Sequence, residues 1–508
     1  MAQTQRLLNL YAMSHSHLSR RCFVSGLSLA GGGLLGLTQT EAQTPATNSG
    51  GRSGLLVQPA GVTQLATRTK IAMELTGHLH IKEPEAGQAA EPGIEVRAKS
   101  TLDYLEKIAL AEDASTQLSQ PVAAARRYFV ADVENWIGGK TSESKLRPAC
   151  VETRLLPHQG VWQQYCETYP LDAREVQLLQ SPINSAALEL LLPLQPAKAD
   201  STWIVRAQDA KQLFNLDAVH KSTLGAKIAK VEKGVATIEL QGALEATANS
   251  VPTHLEINGN LQVSVTNSTA LVTWLGLVVK ERRQLSQAEP GFEISARIRL
   301  IRQVDNTQLA VSQTELRELS QREDDGRWLV RLHSTAGHYS MLADRRWHIH
   351  RDSSEEAILR MVENNTIIAQ CAVSRLSELE AGQQLTMEGL QADIKKSLGN
   401  TFREFLESNE KVTGTKLRML RATVSGVVED VPIQWIYTHL SDDSGRRLAM
   451  VYTMGGNVTD RFGAADEQMA MSFEWLPDVN ANEGEKSPKS PATPPALTAD
   501  TGPAKRLK

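Results

Sequence analysis

Two histidines on one predicted strand are the first residues whose types and spacing could do chemistry. His348 and His350 lie two residues apart, and strand side chains alternate between faces, so both imidazoles are expected on one face. Two imidazole nitrogens at this spacing can bind a metal such as zinc or copper. A third ligand would come from elsewhere in the chain, with four candidates: His333, His338, Asp344 and His439. The alternative is a solvent-facing strand surface between charged flanks.

A second His-x-His sequence has the same geometry. His78 and His80 lie on a predicted strand near the start of the folded chain, where they could bind a metal or simply cover a solvated face. Neither pair is accompanied by the Cys and His spacing of a zinc finger. Metal binding is therefore one hypothesis among several, and the sequence predicts no other cofactor.

The cysteines allow one disulfide. Cys150 and Cys166 enclose a segment that has Pro157 and Gly160 near its middle and is typical of a hairpin. A bridge across such a loop would stabilise the fold by about 3 kcal/mol in the chain-entropy model. The alternative is two buried thiols in adjacent strands. Cys371 lies in an apolar strand pattern and is expected to be a small core residue.

Motifs for catalysis are weak. Residues 142–145 fit the Ser-x-x-Lys pattern of penicillin-binding nucleophiles, but the other two motifs of that class are absent from the sequence. The sequence also contains no phosphate-binding loop, dinucleotide fingerprint, nucleophile elbow or His-Glu-x-x-His motif. These observations favour a protein that is not an enzyme.

Composition argues against nucleic-acid binding and against a membrane-spanning segment. The 508 residues carry a formal net charge of −4, whereas a protein that binds the phosphate backbone of nucleic acid is strongly basic. The chain also lacks an apolar run of about 18 residues, so no transmembrane span is expected in the mature chain. Most of the sequence is apolar enough to bury a core.

Residues 59–333 predict a domain of long strands. Residues 292–300 alternate apolar and polar side chains throughout, as in an antiparallel strand that is buried on one face. Residues 232–234 are typical of a hairpin turn, and a helix is expected near 207–216.

An internal similarity suggests a duplication within this domain. Residues 74–80 and 256–262 share a pattern, and each is followed by a second strand that ends in Glu. Two such units would build one large curved antiparallel sheet or two similar half-sheets. A large curved sheet with a helix across its concave face resembles the LolA-type lipoprotein carriers. That resemblance is one of architecture and implies an apolar ligand surface.

Residues 334–477 predict a second domain with the element order β-β-β-α-α-β-β-β-α. Hairpin turns are expected at 364–365 and 442–445. Leu390, Ile394 and Leu398 step by four along one helix face. A second short helix is predicted from Phe402, Phe405 and Leu406.

This element order resembles that of the PsbP superfamily, and the sequences at 431–437 and 461–466 also resemble members of that superfamily. The superfamily includes extrinsic photosystem proteins and many small exported domains. The resemblance implies an interaction module and supplies no catalytic residues. The sequence thus predicts the α+β class: a β-rich first domain with a large curved antiparallel sheet, then an α/β sandwich domain with an antiparallel sheet.

The N-terminus predicts export. Arg20, Arg21 and Phe23 lie in a segment that resembles the twin-arginine consensus, and a short, glycine-rich apolar stretch follows. We expect a twin-arginine signal peptide at 1–42 and a periplasmic or otherwise exported mature protein. A flexible leader at 43–58 and a disordered Pro-rich tail at 478–508 would flank the folded domains.

The hypothesis favoured by these features is an exported, non-enzymatic binding or interaction protein of the cell envelope. Its partner would be an envelope protein, an amphiphile or a peptide. One alternative is a metal-binding protein that uses His348 and His350. The other is an unrecognised envelope hydrolase.

Cell fractionation checks the compartment. A shortened, cleaved form is expected in the exported fraction of cells that express the full chain, because paired arginines before an apolar stretch direct folded proteins across the membrane. Cytosolic and exported marker proteins control for leakage. An intact chain found solely in the cytosol would contradict the assignment.

Overall fold

The computed structural model describes residues 66–81, 93–111, 120–266, 269–286, 290–322, 325–380 and 382–477. The predicted signal peptide with Arg20, Arg21 and Phe23, the leader and the tail lie outside the described residues. Among the helices of the described part, none combines the length and apolar character that crossing a membrane requires.

Antiparallel strands dominate the structure, so the expected α+β class is wrong. Strands make up 58% of the structure and helices 16%, and the described residues form three antiparallel sheets. The helices are short segments that pack against sheet faces. The helical share was overestimated because some helix-like spacings belong to irregular strands, as shown below for Phe402 and Phe405.

The first sheet contains thirteen strands within the described residues. Its spatial order is β6-β5-β3-β2-β1-β13-β12-β11-β10-β9-β7, with β4 paired to β3 and β8 paired to β10. The strands are β1 (Ala66–His80), β2 (Ile94–Leu110), β3 (Pro121–Ile137), β4 (Lys140–Lys145), β5 (Glu152–His158), β6 (Val161–Tyr165), β7 (Thr202–Ile204), β8 (Ala218–Ser222), β9 (Gly225–Glu232), β10 (Val235–Ala248), β11 (Val251–Thr266), β12 (Thr269–Arg283) and β13 (Gly291–Asp305).

Most of the long strands on the β1, β13, β12, β11 and β10 side of the sheet have one apolar and one polar face, whereas parts of β2 and β3 are buried on both faces. In β13 the alternation predicted over 292–300 is confirmed, because Phe292, Ile298 and Leu300 are buried and Arg297 and Arg299 are exposed. Alternation follows from the period of two of the extended backbone. The same pattern in the neighbouring strands β10, β11 and β12 gives this part of the sheet one apolar face and one polar face, and at β2 and β3 the second face is covered by Leu316 and Trp328.

Short helices of the same chain cover the apolar face. They are α1 (Ala173–Leu179), the 3₁₀ helix Ser185–Leu191 and α2 (Ala207–Phe214), and α2 confirms the helix predicted near 207–216. Leu178, Leu188 and Leu213 from these three segments belong to one core with the apolar strand residues. The surface that an amphiphile would occupy in a carrier is therefore occupied by the chain itself.

A buried ionic network attaches the 3₁₀ helix Ser185–Leu191 to the sheet. The guanidinium of Arg126 donates to Glu106 at 2.8 Å, and both side chains are nearly inaccessible to solvent. The hydroxyl of Ser185 donates to Glu106 at 2.7 Å and lies 2.8 Å from the hydroxyl of Tyr104. Satisfying every polar group is what makes a buried charge pair tolerable.

A second buried arginine fixes the same helix from β13. Arg302 is fully buried, and its guanidinium donates to the carbonyls of Val272 at 3.0 Å and Ser185 at 3.2 Å and to the carboxylate of Glu189. Burial lowers the pKa of Arg302 to about 10, so the side chain stays charged at neutral pH. The 3₁₀ helix is thus held by β2, β3, β12 and β13 together.

Glycine permits an unusually close approach of two central strands. A Cβ placed on Gly259 of β11 would overlap the carbonyl oxygen of Gly276 in β12. Glycine within a strand commonly marks such an approach. Gly77 of β1 stands in the same relation to the carbonyl of Glu293, so the two segments with similar sequence share this feature. The duplication itself stays a prediction.

The remaining described strands form two smaller antiparallel sheets. One has the order β14-β15-β23 and the other β16-β17-β18-β22-β21-β20-β19. The strands are β14 (Val330–Ser334), β15 (Tyr339–Ala343), β16 (Trp347–Asp352), β17 (Glu356–Glu363), β18 (Thr366–Leu376), β19 (Phe402–Val412), β20 (Arg418–Val428), β21 (Val431–Ser441), β22 (Arg447–Gly455) and β23 (Glu474–Trp475). The hairpins predicted at 364–365 and 442–445 are confirmed as β17–β18 and β21–β22.

Four more α-helices complete the described structure: α3 (Gln313–Gln321), α4 (Met387–Leu398), α5 (Thr459–Phe462) and α6 (Ala465–Met471). Single 3₁₀ turns also occur at Pro148–Cys150, Asp325–Trp328 and Gly399–Thr401. The predicted helix with Leu390, Ile394 and Leu398 is confirmed as α4. Thr386 caps it by accepting a hydrogen bond from the amide of Gly389 at 3.1 Å.

The second short helix, predicted from Phe402 and Phe405, is wrong. These residues begin strand β19, which has register shifts between Phe402 and Glu404 and between Phe405 and Glu407. Each shift adds a residue and lets two side chains three apart face the same way. Both rings pack in the core under α4, with centroids 5.1 Å apart. The bulges therefore imitate helical spacing.

The two regions of the chain are in contact. The amide of Arg331 in β14 donates to the carbonyl of Leu171 at 2.9 Å, directly before α1. Arg345 donates to the carbonyl of Trp328 at 3.1 Å and to that of Gln164 in β6. Burial lowers the pKa of Arg345 to about 10. The predicted boundary at 333/334 falls inside β14.

Replacing one partner of the buried ionic network tests how much the network contributes to the free energy of unfolding. Glu106→Gln leaves the buried Arg126 without a counter-charge, which costs roughly 3–5 kcal/mol of unfolding free energy. Urea unfolding followed by circular dichroism measures the loss. Glu293→Gln is the matched control, because Glu293 and Arg282 form an ion pair that is largely exposed, with 61% and 65% of the side chains accessible. Equal small losses in both variants would refute the role of the network.

Candidate ligand-binding site

The polar face of the large sheet contains an open groove. Its volume is about 1120 Å³, and it crosses β10, β11, β12, β13 and β1. We call it the polar groove and define it by the side chains that project into it: Gln241, Asn258, Asn260, Trp274, Arg297 and Arg299. All of these come from strands whose opposite face belongs to the core, so the core fixes their directions.

Two arginines lie side by side in this groove. Arg297 and Arg299 are exposed and occupy successive outward positions of β13. Neither guanidinium forms an ion pair or hydrogen bond with another residue of the described chain. The cross-strand neighbours of Arg299 are Ala72 and Gly276, which have almost no side chain and leave the guanidinium accessible. Two positive groups are thus available to a ligand.

Amide side chains line the adjacent strands. Asn258 and Asn260 occupy the outward positions of β11, and Gln241 lies beside them on β10. All three are exposed, and none has a hydrogen-bond partner within the described residues. Each amide offers two donors and one acceptor oxygen. The floor of the groove therefore presents donors and acceptors over three neighbouring strands.

One aromatic ring borders these polar groups. Trp274 of β12 is half-buried, and an atom of its six-membered ring lies 2.5 Å from where a Cβ on Gly276 would stand. The indole thus occupies the space that a side chain at Gly276 would need. A register shift between Gln262 and Val263 in the pairing of β11 with β12 lies next to this ring.

The groove is also lined by Lys280, Glu256 and Glu74, and Glu74 lies opposite Arg297 in the pairing of β1 with β13 without forming an ion pair among the described residues. The ammonium of Lys280 lies 3.5 Å from the carboxylate of Glu256, and a ring nitrogen of His254 lies 2.8 Å from Glu245. Pairing leaves Arg297 and Arg299 as the cations that a ligand can approach without breaking an existing ion pair.

The predicted metal pair has irregular geometry. The pairing of β16 with β17 shifts between Ile349 and Arg351, so His350 is an extra residue in a bulge and the expected alternation with His348 is interrupted. Burial lowers the pKa of both imidazoles, that of His350 to about 4 with help from Arg360. Over the described ranges, no group of three or more His, Cys, Asp or Glu side chains is placed to hold a metal ion.

The other predicted site residues have simpler positions. His78 and His80 lie on the polar face of β1, with buried Leu79 between them. Cys150 and Cys166 are buried free thiols at the two ends of the β5–β6 hairpin. Burial, together with the nearby Glu175 and Cys166, raises the pKa of the Cys150 thiol to about 12. The disulfide stays a prediction, whereas Cys371 is confirmed as a core residue.

The polar groove itself was missed by the sequence reasoning. Arg297 and Arg299 were recognised as the polar side of a strand, and 256–262 was recognised as part of a repeat. Placing them together requires the order β11-β12-β13, which no local pattern reveals. A usable signal was present in β13, where two outward arginines follow each other without an acidic residue between them.

Comparison with known proteins gives little further information. No protein-family model matches the sequence, and neither does any curated protein. A solved structure from Bacteroides thetaiotaomicron is 9% identical with a TM-score of 0.22, and covers 29% of this chain and 48% of its own. Lipovitellin is 10% identical with a TM-score of 0.26, and covers 49% of this chain and 26% of its own. The outer membrane protein OmpT of Vibrio cholerae is 7% identical with a TM-score of 0.11, and covers 77% and 99%.

This chain thus spans about half of the first of these structures and about a quarter of the second. TM-scores at this level carry no argument about the fold or function of this chain. The resemblances to LolA-type carriers and to the PsbP superfamily stay predictions.

Away from the groove, a buried histidine makes the stability depend on pH. His439 of β21 is 2% exposed, and neither ring nitrogen has a hydrogen-bond partner among the described residues. Burial, together with the positive charges of the nearby Arg447 and Arg418, lowers its pKa to about 4. Between pH 4 and 6.5 the unfolded chain therefore binds a proton at this position that the folded chain does not.

Replacement of this histidine should weaken the dependence of the unfolding free energy on pH. Above pH 6.5 the neutral imidazole costs no stability. As the pH falls from 6.5 towards 4, protonation of His439 in the unfolded chain lowers the free energy of unfolding by roughly 3 kcal/mol in all. His439→Leu should remove this part of the slope, measured as urea unfolding free energy against pH. Leu440→Ala in the same strand is the control, because a neutral core change lowers stability equally at every pH. An unchanged slope in His439→Leu would show that the imidazole does not titrate in this way.

Proposed function

We propose that this chain is a non-enzymatic binding protein of the cell envelope and that the polar groove is its ligand-binding site. One observation carries the proposal. Two arginines without partners, Arg297 and Arg299, share an open groove with amide side chains that also lack partners among the described residues. Exposed polar groups that line one concave surface and have no partner there can donate to and accept from a bound ligand.

The positions of the apolar residues support a polar ligand. The apolar face of the large sheet is covered by α1, the 3₁₀ helix Ser185–Leu191 and α2, so it is not available to an amphiphile without their displacement. Displacement would also remove the Ser185 hydroxyl that donates to Glu106 in the buried ion pair with Arg126. We therefore favour a polar ligand on the opposite face over the amphiphile carried by a LolA-type protein.

The second region is proposed to act as an interaction module, as its resemblance to the PsbP superfamily implies. Its seven-stranded sheet carries α4 on one face, packed on Trp435, and α6 on the other, packed on Met450. The hydrogen bonds of Arg331 and Arg345 to the first region support a joint role for the two regions. The export signal predicted at 1–42 is the reason for proposing the envelope as the compartment.

Co-sedimentation with isolated cell envelopes tests the proposal. The purified mature protein is expected to sediment with envelopes, and the double variant Arg297→Ala, Arg299→Ala should sediment at least fivefold less, because the groove then lacks both free cations. Arg403→Ala is the matched control, since Arg403 is an exposed arginine of β19 outside the groove. Sedimentation that is absent in the wild type, or equal in all three proteins, would refute the groove as the binding site.

A further inference from the structure

The shape of the polar groove fits a chain-like ligand. The groove is open to solvent and crosses five neighbouring strands, which at the usual strand spacing is about 19 Å. Its polar groups are spread over β10, β11 and β13 and do not converge on one point. An occupant that uses all of them must extend across the strands, as several linked units of a polymer would.

The arginine pair specifies negative charge. Successive outward positions of a strand are about 7 Å apart, so Arg297 and Arg299 offer two separate guanidinium groups along one edge of the groove. A guanidinium binds a carboxylate through two parallel hydrogen bonds, which gives geometric selectivity as well as attraction. Small neighbours at Ala72 and Gly276 leave room for an acidic group beside Arg299.

The rest of the groove fits hydroxyl groups and a ring. Asn258, Asn260 and Gln241 each present a donor and an acceptor, the combination that pairs with neighbouring hydroxyls. Trp274 adds a flat apolar surface with a polar N–H at its edge. A sugar ring offers both kinds of group: hydroxyls that can pair with the amides, and an apolar C–H face that can pack on the indole.

We infer that the polar groove binds an acidic polysaccharide, whose carboxylates pair with Arg297 and Arg299 while its hydroxyls contact the amides and one sugar ring packs on Trp274. The inference rests on the proposed function and names the ligand class of the same site. It identifies the ligand by carboxylates carried on linked sugar units.

A nucleic acid would fit these features less well. A phosphate backbone is bound by a run of several basic side chains, and the groove offers two free guanidinium groups. Single-stranded DNA therefore serves as a competing probe in the test.

Isothermal titration with polygalacturonate tests the inference. The fully methyl-esterified polymer is the matched probe, because it keeps the sugar backbone and removes the negative charge. We expect binding of polygalacturonate that is at least tenfold tighter than binding of the ester and that weakens as salt is raised. The double variant Arg297→Ala, Arg299→Ala and the single variant Trp274→Ala should each lose tenfold or more, whereas Arg403→Ala should not change.

Each contrary result has one meaning. Equal affinity for the acid and the ester would overturn the acidic ligand class and leave a glycan groove. Tighter binding of single-stranded oligothymidine than of polygalacturonate would overturn the polysaccharide. Absence of binding to both polymers, with envelope sedimentation that still depends on Arg297 and Arg299, would overturn the inference and keep the proposed function. The side chains of Arg297, Arg299 and Trp274 lie on the solvent side of the sheet, so we expect the variants to unfold at the same urea concentration as the wild type. Equal urea midpoints would exclude misfolding as the cause of lost binding.

Discussion

The buried ion pair between Glu106 and Arg126 is the constraint on which the arrangement of the first region depends. Two charges removed from water are tolerable only if their donors and acceptors find partners, and here the hydroxyl of Ser185 contacts both charged groups and is itself hydrogen-bonded to Tyr104. Because Ser185 begins the 3₁₀ helix, the pair can be satisfied only when that helix lies on the sheet. The ionic network thus specifies where the apolar face is covered.

Covering that face has a functional consequence. Once α1, the 3₁₀ helix and α2 fill the apolar side, ligand recognition is left to side chains that the core orients but does not need. Arg297 and Arg299 project outward because Ile298 and Leu300 project inward, and the same alternation places Asn258 and Asn260 opposite buried Ile257 and Leu261. A rigid scaffold therefore holds polar groups in a fixed pattern at no cost in buried charge.

Local patterns predicted the elements that depend on local physics. The alternation over 292–300 and the four-residue steps along α4 were read correctly, because burial on one face imposes those periods directly. The same reasoning failed where β-bulges interrupt the regular alternation of side chains. Extra residues in β19 gave Phe402 and Phe405 a helical spacing, and an extra residue at His350 disturbed the alternation that would align it with His348.

The candidate site lay beyond the reach of the sequence for another reason. Trp274, Asn258 and Arg299 are far apart along the chain and meet only because β11, β12 and β13 are adjacent. Register between strands is set by the packing of the whole apolar face. A single sequence shows which side of a strand is polar, but it does not show which polar sides adjoin.

The close approach at Gly259 has a consequence for tolerance to substitution. The position is only partly buried, and by accessibility alone it would count among the replaceable residues of β11. Yet even a methyl group there would collide with the backbone of the next strand and push the two apart. In a library that varies every codon, alanine at Gly259 should be as rare among soluble clones as a charge in the hydrophobic interior.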